Sequence, residues 1–193
     1  MAVTTYIVDK DGNQIDASSA TVPSDRHFRG AWSLSGSVIS EDISGICKIY
    51  NAHIELGGST FETVPWETSI LHDQIMKNDK DIWFVAEMNH TVIGWAAARL
   101  HSNRFGYRLT REIAIYLAIE HMGKGIACQL LKLTENSCID LGIHHLVARV
   151  ITNNERSLRF HERAGYGLVG VQKEIGCLND QWLDVAIMQK ILS

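Results

Sequence analysis

The chain has 193 residues, 46% of them apolar, and a formal net charge of −4. That length and composition suit one domain with a full hydrophobic core and argue against disorder. The acidic balance argues against a non-specific nucleic-acid binder. No apolar run approaches the roughly 20 residues of a bilayer span, so no membrane partner is expected. The first ten residues lack the basic start and long apolar core of a secretion signal. Cys47, Cys128, Cys138 and Cys177 are scattered, without Cys-x-x-Cys or Cys/His zinc spacing. The expectation is therefore no metal, and reduced thiols in a cytoplasmic protein.

In chain order, residues 6–15 read as a small hairpin with Asp11-Gly12 as its two-residue turn. Residues 17–29 are polar and contain Pro23, which suits a loop or extension. Residues 32–39 suit a first strand of the main domain. Ser40 fits an N-cap with Glu41 and Asp42 in the first turn. Ile43, Ile46, Cys47, Tyr50 and Ile54 then recur at helical spacing until Gly57-Gly58. Pro65 and Trp66 open a second helical stretch that runs to about Asn78, carrying Ile70, Leu71, Ile75 and Met76.

Residues 82–86 and 91–98 flank Asn89-His90, a hairpin signal. Residues 99–108 form a loop with Arg99, Arg104 and Arg108 beside Phe105 and Tyr107. Residues 111–120 read as the central strand. Its isoleucines and Leu117 share one face, and Glu112, Ala114, Tyr116 and Ala118 share the other. A long helix follows from Ile126 to Leu141, with Ile126, Leu130, Leu133, Thr134, Cys138 and Leu141 as its core stripe and Gly142 past its end. Residues 143–151 form another strand. Thr152-Asn-Asn-Glu155 resembles a capping box opening a short helix to Ala164. Two final strands, 166–176 and 182–191, are joined by Asn179-Asp180. Hairpins mixed with strand–helix–strand units predict a mixed sheet.

The stretch His121-Met-Gly-Lys-Gly-Ile-Ala127 sits between strand and helix. That geometry offers free backbone N–H groups to an anion. A Walker P-loop would need Ser or Thr after Gly-Lys, but Gly125 follows Lys124. A dinucleotide fingerprint would need a third glycine where Cys128 stands, and an acid near the end of the next strand, which ends in Ile-Thr-Asn-Asn154.

The strand, the turn Met122-Gly-Lys-Gly-Ile-Ala127 and the helix beyond resemble the acyl-CoA site of the GNAT superfamily of N-acetyltransferases. The family pattern Gln/Arg-x-x-Gly-x-Gly/Ala is met by Gly125 and Ala127, with Met122 at the first position. Phe105-x-Tyr107-Arg108-x-Thr110-x-Glu112, Ile115-Tyr116, Asn154-x-x-Ser157-x-x-x-His161-Glu162-x-x-Gly165-Tyr166 and Trp182-x-Asp184 are similar to the phosphinothricin and methionine sulfone/sulfoximine N-acetyltransferases. Tyr50-Asn51 and Thr60-Phe61-Glu62 with Pro65 fit the same branch. The resemblance spans residues 38–192. It implies an α/β GNAT fold, a mixed, mostly antiparallel sheet of about seven strands with about four helices. Residues 1–37 become an extension and residues 38–193 the acetyltransferase domain.

The resemblance also implies roles. Glu112 would be the base for the acceptor amine, against the plainer reading of a strand-end carboxylate paired with Arg108 or Arg111. His161 would protonate the departing thiolate, against a core histidine with a satisfied hydrogen bond; Tyr166 suits packing. Acetyl-CoA would be held by Ile115, Tyr116 and Leu117, by Gly123, Lys124, Gly125, Ile126 and Ala127, and by Asn154, which could equally cap a helix. Arg104 and Arg108 would read the acceptor's oxygens, with Phe61 and Tyr107 as walls and Thr110 beside them. The last hairpin departs from the branch, with Leu178-Asn-Asp-Gln181 where many members carry Lys-Phe-Gly-Arg.

The expected function is acetyl transfer from acetyl-CoA to the α-amine of a small L-amino acid or analogue, directly in a ternary complex, by a homodimer. The rivals are an N-terminal acetyltransferase of proteins and a non-catalytic acyl-CoA-binding module.

Overall fold

The computed structural model describes residues 5–8, 14–15, 32–35, 38–78 and 80–192. Among the described residues, nine strands form one sheet: β1 (Thr5–Val8), β2 (Gln14–Ile15), β3 (Ser33–Ser35), β4 (Ile82–Met88), β5 (Thr91–Leu100), β6 (Thr110–Leu117), β7 (His145–Ile151), β8 (Gly167–Leu178) and β9 (Gln181–Ile191). Their order is β2-β1-β3-β4-β5-β6-β7-β9-β8. Seven of them, β3 to β9, are those expected of the acetyltransferase domain, and β1 and β2 are the two strands of the expected hairpin. β1 and β2 pair with each other and extend the sheet beyond β3. The expected Asp11-Gly12 turn lies outside the described residues.

Four helices among the described residues pack on the sheet: α1 (Ile43–Leu56), α2 (Thr68–Met76), α3 (Ile126–Asp140) and α4 (Glu155–Arg163). One face carries α1 and α2 over Trp83, Val85, Trp95 and Ala97. The other carries α3 over Phe84, Ala86, Ile93 and Ala96, continuing to α4 over Leu146, Ala148 and Met188. The two faces of β6 follow the alternation in its sequence. Ala114 and Tyr116 meet the α1 cluster, whereas Ile113, Ile115 and Leu117 meet the clusters under α3.

Hairpin turns form where asparagine leads. Asn89 and His90, and Asn179 and Asp180, all take positive φ, the left-handed pair a two-residue turn needs. Some local expectations change. Ser40 does not cap α1; a 3-10 turn, Ser40–Asp42, precedes it, and the Ile39 N–H donates to Asp42 Oδ2 at 2.9 Å. The carboxylate is the stronger acceptor for a free N–H, and Ser40 Oγ lies 3.2 Å from His72 Nε2 instead. α2 begins at Thr68, and its Ile70 and Met76 are exposed because only one face meets α1. β6 ends at Leu117, and Ile119–His121 form a 3-10 turn that leaves Ile119 exposed. In α3, Leu131 joins the buried stripe and Leu141 lies past the helix end, exposed. The cap of α4 is Asn154, not Thr152: its Oδ1 accepts the Ser157 N–H at 3.1 Å.

One irregularity positions everything functional. β6 and β7 form the sheet's only parallel pair among the described residues, and they pair only from Thr110↔His145 to Glu112↔Val147. Beyond Glu112 and Val147 the strands diverge, leaving the facing edges of residues 113–117 and 148–151 without a strand partner. The sheet is forked there.

Candidate active site

The fork opens into a cleft of about 1310 Å³ that passes through the sheet. Its α3/α4 side is lined by Met122, Gly123, Gly125, Ala127, Cys128, Asn154, Arg156, Ser157 and His161. Its α1 side is lined by Tyr50, His53, Ser59 to Glu62, Arg99, Glu112, Arg149 and Gly176.

On the first side, Gly123 and Gly125 take φ of +77° and +85°. A residue with a Cβ is strained there, so glycine is what lets the chain turn into α3. Among the described residues no side chain caps α3. Its first N–H groups therefore point at the cleft as an anion site. Ala127 and Cys128 line the cleft beside them. Lys124 is exposed and does not line it, and the Ile126 side chain is buried in the core, so only its backbone can serve a ligand. The cation at the turn is Arg156, from the first turn of α4. Its Nη1 lies 3.1 Å from Met122 Sδ, and Nη2 lies 3.9 Å from where a Gly123 Cβ would be. Sequence reasoning missed Arg156; its position two residues after the cap Asn154 was the available signal.

His161 is buried, with Nδ1 2.9 Å from the Ser157 carbonyl oxygen. A carbonyl only accepts, so Nδ1 carries the proton and the neutral ring offers Nε2 as a lone pair. Burial pushes the His161 pKa below its ordinary value. The expectation that His161 donates a proton to a thiolate therefore meets a ring arranged to accept one. The Tyr166 ring packs against His161 at 5.2 Å between centroids, and burial beside Glu135 holds its hydroxyl protonated. Lys190 joins Glu135 Oε2 at 2.7 Å and the Ala164 carbonyl at 2.9 Å, tying α3, α4 and β9 together behind this wall.

On the second side, the loop between α1 and α2 is fixed at several points. The Asn51 amide satisfies both backbone groups of Trp66, at 2.7 and 3.1 Å. Tyr50 stacks on Trp66 at 3.8 Å, and its hydroxyl meets Thr60 Oγ1 at 2.6 Å. Tyr116 donates to the Ser59 carbonyl at 3.1 Å; burial raises its pKa, so it remains a donor. His53 Nε2 lies 2.9 Å from the Leu117 carbonyl and Nδ1 lies 3.2 Å from Ser59 Oγ. The carbonyl fixes the proton on Nε2, so His53 clamps the end of β6 to the loop. His53 is a second residue missed from sequence, where it reads as one more position on a core helix.

So held, the loop lays the Phe61 ring against Gly176 of β8, with no room between them for a Cβ. The contact bridges the mouth of the cleft. β8 leaves register with β9 between Gln172 and Gly176, and Asp184 pins that bulge by accepting from the Glu174 N–H at 2.8 Å and Lys173 Nζ at 2.6 Å.

Glu112 stands at the vertex of the fork, its side chain 24% exposed. It pairs with neither Arg108 nor Arg111. Arg111 is buried on the opposite face and donates to the carbonyls of Arg108 and Thr110. The neighbour of Glu112 is Arg149 of β7, Nη1 to Oε2 3.6 Å. Arg99 lies opposite Glu112 in the β5–β6 register.

Of the expected acceptor contacts, Phe61 lines the cleft and Arg104, Tyr107, Arg108 and Thr110 do not. The 3-10 turn Phe105–Tyr107 projects outward, with Arg108 over the Phe105 ring at 4.4 Å and Tyr107 against His101 at 5.5 Å. Thr110 opens β6, its backbone paired with His145. On its α1 side the cleft's guanidiniums are Arg99 and Arg149, which come from strand bodies. Among the described residues there is no group of three His, Cys, Asp or Glu placed to hold a metal ion, and no helix is long and apolar enough to cross a membrane.

Residues 48–166 match the model of the acetyltransferase (GNAT) family. The chain is 30% identical over 159 residues to a phosphinothricin N-acetyltransferase of Alcaligenes faecalis, covering 81% of each. It is 29% identical over 160 residues to the L-amino acid N-acyltransferase MnaT of Escherichia coli, covering 77% of this chain and 87% of that one. A phosphinothricin acetyltransferase from Sinorhizobium meliloti, crystallised in complex with acetyl-CoA, superposes with a TM-score of 0.77 at 31% identity, over 84% of this chain and 89% of that one. With its forked sheet, its glycine turn and these matches, the chain belongs to the acetyltransferase (GNAT) family and is an N-acetyltransferase.

Proposed function

We propose that this enzyme transfers an acetyl group from acetyl-CoA to the α-amine of a small L-amino acid or analogue, directly and within a ternary complex. The observation that carries this reading is Glu112 at the vertex of the fork, between an anion-binding turn on one face and a pocket closed by Phe61 on the other.

Acetyl-CoA, when bound, supplies the acetyl group as a thioester. The N–H groups of Gly123 to Ala127 and the Arg156 guanidinium would hold its pyrophosphate. The unpaired edges of Ile115 to Leu117 suit an amide-bearing arm laid into the fork like a missing strand. The Asn154 Nδ2 remains available because capping uses only Oδ1. At the vertex, Glu112 takes a proton from the acceptor's ammonium. The nitrogen lone pair then forms the N–C bond while the C–S bond breaks, its electron pair leaving on sulfur, and that sulfur takes up the second proton shed by the acylated nitrogen, giving a neutral amide and the free CoA thiol. His161, neutral and bonded through Nδ1, serves as a wall of the cleft.

The Phe61–Gly176 bridge favours a free amino acid over a protein N-terminus, whose chain would need an open groove at that point. Among the described residues, Leu168, Val169 and Trp182 are exposed on the β8–β9 hairpin, which suits the homodimer expected. Glu112→Gln tests the reading. kcat should fall by about 10² or more with acetyl-CoA affinity unchanged; unchanged kcat under conditions where chemistry limits turnover overturns the role of Glu112.

A further inference from the structure

β7 is buried almost throughout. Leu146, Val147, Ala148, Val150 and Ile151 are all buried, and Arg149 alone in that run is exposed. Its exposed side chain carries no burial penalty and is open to a ligand in the cleft. Arg149 shares the Glu112 face of the sheet, and the opened fork is what gives its side chain room.

The Arg149–Glu112 contact is loose. At 3.6 Å it is an ion pair without hydrogen-bond geometry. Among the described residues the Arg149 guanidinium donates no hydrogen bond, so its fork of donors is unspent and faces the cleft. A carboxylate that could bind it in two-point fashion would outcompete Glu112. An α-amino acid carries such a carboxylate one carbon from the amine to be acetylated.

We propose that Arg149 is the receptor for the acceptor's α-carboxylate, and that its capture by substrate frees Glu112 to accept the amine's proton. Arg149 is thus a positioning and specificity residue. It rests on the amino-acid reading above and adds the requirement for a free carboxylate. Binding through Arg149 places the adjacent ammonium beside Glu112, which lies on the same face of the sheet, paired with Val147 two residues before Arg149. The exchange keeps the charge count constant, since one carboxylate replaces another on the guanidinium.

The test compares L-methionine sulfone with its carboxamide as acceptors for the full-length enzyme and its Arg149→Met and Arg149→Lys variants. Acetyl-CoA binding is measured by calorimetry alongside. For the wild type the carboxamide should have a KM about tenfold or more above that of the acid. Arg149→Met should raise the KM of the acid by about the same factor, leave the carboxamide KM within about twofold, and leave acetyl-CoA affinity unchanged. Arg149→Lys should recover part of the loss for the acid alone. An equal loss for acid and carboxamide, or none for either, overturns the assignment. If the wild type acetylates both equally, only this inference fails. If it binds acetyl-CoA but acetylates neither these nor any other amino acid, the amino-acid reading itself fails, and this inference with it.

Discussion

The Phe61 ring rests on the backbone of Gly176, joining the α1–α2 loop to the bulge in β8 across the mouth of the cleft. Glycine is required there by contact and not by φ. Gly176→Ala should push the ring aside, costing about 1–3 kcal/mol through overpacking. Chemical denaturation should register that loss. Steady-state kinetics should show a raised acceptor KM with acetyl-CoA KM little changed; an unchanged acceptor KM would mean the bridge does not shape the acceptor pocket.

Two cations near the glycine turn should behave differently. Lys124 is the one legible in the motif, but it does not line the cleft, whereas Arg156 reaches Met122 and Gly123. Arg156→Ala should raise the acetyl-CoA KM about tenfold, as expected for a lost charge-assisted contact. Lys124→Ala should raise it by less than about threefold. The reverse ranking would place the pyrophosphate nearer Lys124.

His53 links Leu117 to Ser59 through both ring nitrogens. His53→Leu leaves the Leu117 carbonyl and the Ser59 hydroxyl unpaired, with a cost of about 1–3 kcal/mol for the buried group. Because the lost clamp lies at the end of β6, kcat should fall while the acceptor KM holds. A stability loss without any kinetic change would limit His53 to packing.

His161 gives a pH prediction. Its folded pKa lies below the ordinary 6.5 because burial disfavours the charged ring. The unfolded chain therefore binds the proton first as pH falls. The stability from a neutral buried His161 is fully present above pH about 6.5 and is lost as pH falls below it toward the depressed folded value. Thermal melts between pH 8 and 5 should show His161→Asn losing less Tm on acidification than the wild type. Equal slopes would mean that His161 is protonated without cost in the folded chain.

Much of this fold was legible because local chemistry decided it. Asn89-His90 and Asn179-Asp180 mark turns through their tolerance of positive φ, and the alternation of Ile113, Ile115 and Leu117 against Ala114 and Tyr116 fixes both faces of β6. Gly123, Gly125, Ala127, Asn154, Glu112 and Phe61 all meet in one cleft, as their motifs implied. Arg104 and Arg108 were expected at the acceptor but do not line the cleft, for a physical reason. Arg104 and Arg108 cluster in sequence, but their turn projects outward, while Arg99 and Arg149 are 50 positions apart and become neighbours of Glu112 only through strand register and the fork. Arg156 and His53 were hidden likewise, since each acts across a contact between elements. His161 shows the opposite limit: its position in the motif was clear, but only the Ser157 carbonyl beside Nδ1 reveals which nitrogen holds the proton.

The central claim is acetylation of a free amino acid, and an acceptor screen tests it most directly. CoA release and N-acetyl product would be followed for phosphinothricin, methionine sulfone, methionine sulfoximine, the common L-amino acids and short peptides with free N-termini. The account predicts turnover with at least one small amino acid or analogue, product acetylated at the α-nitrogen, and little or no turnover of peptides. Acetylation of peptides with none of any free amino acid would contradict it.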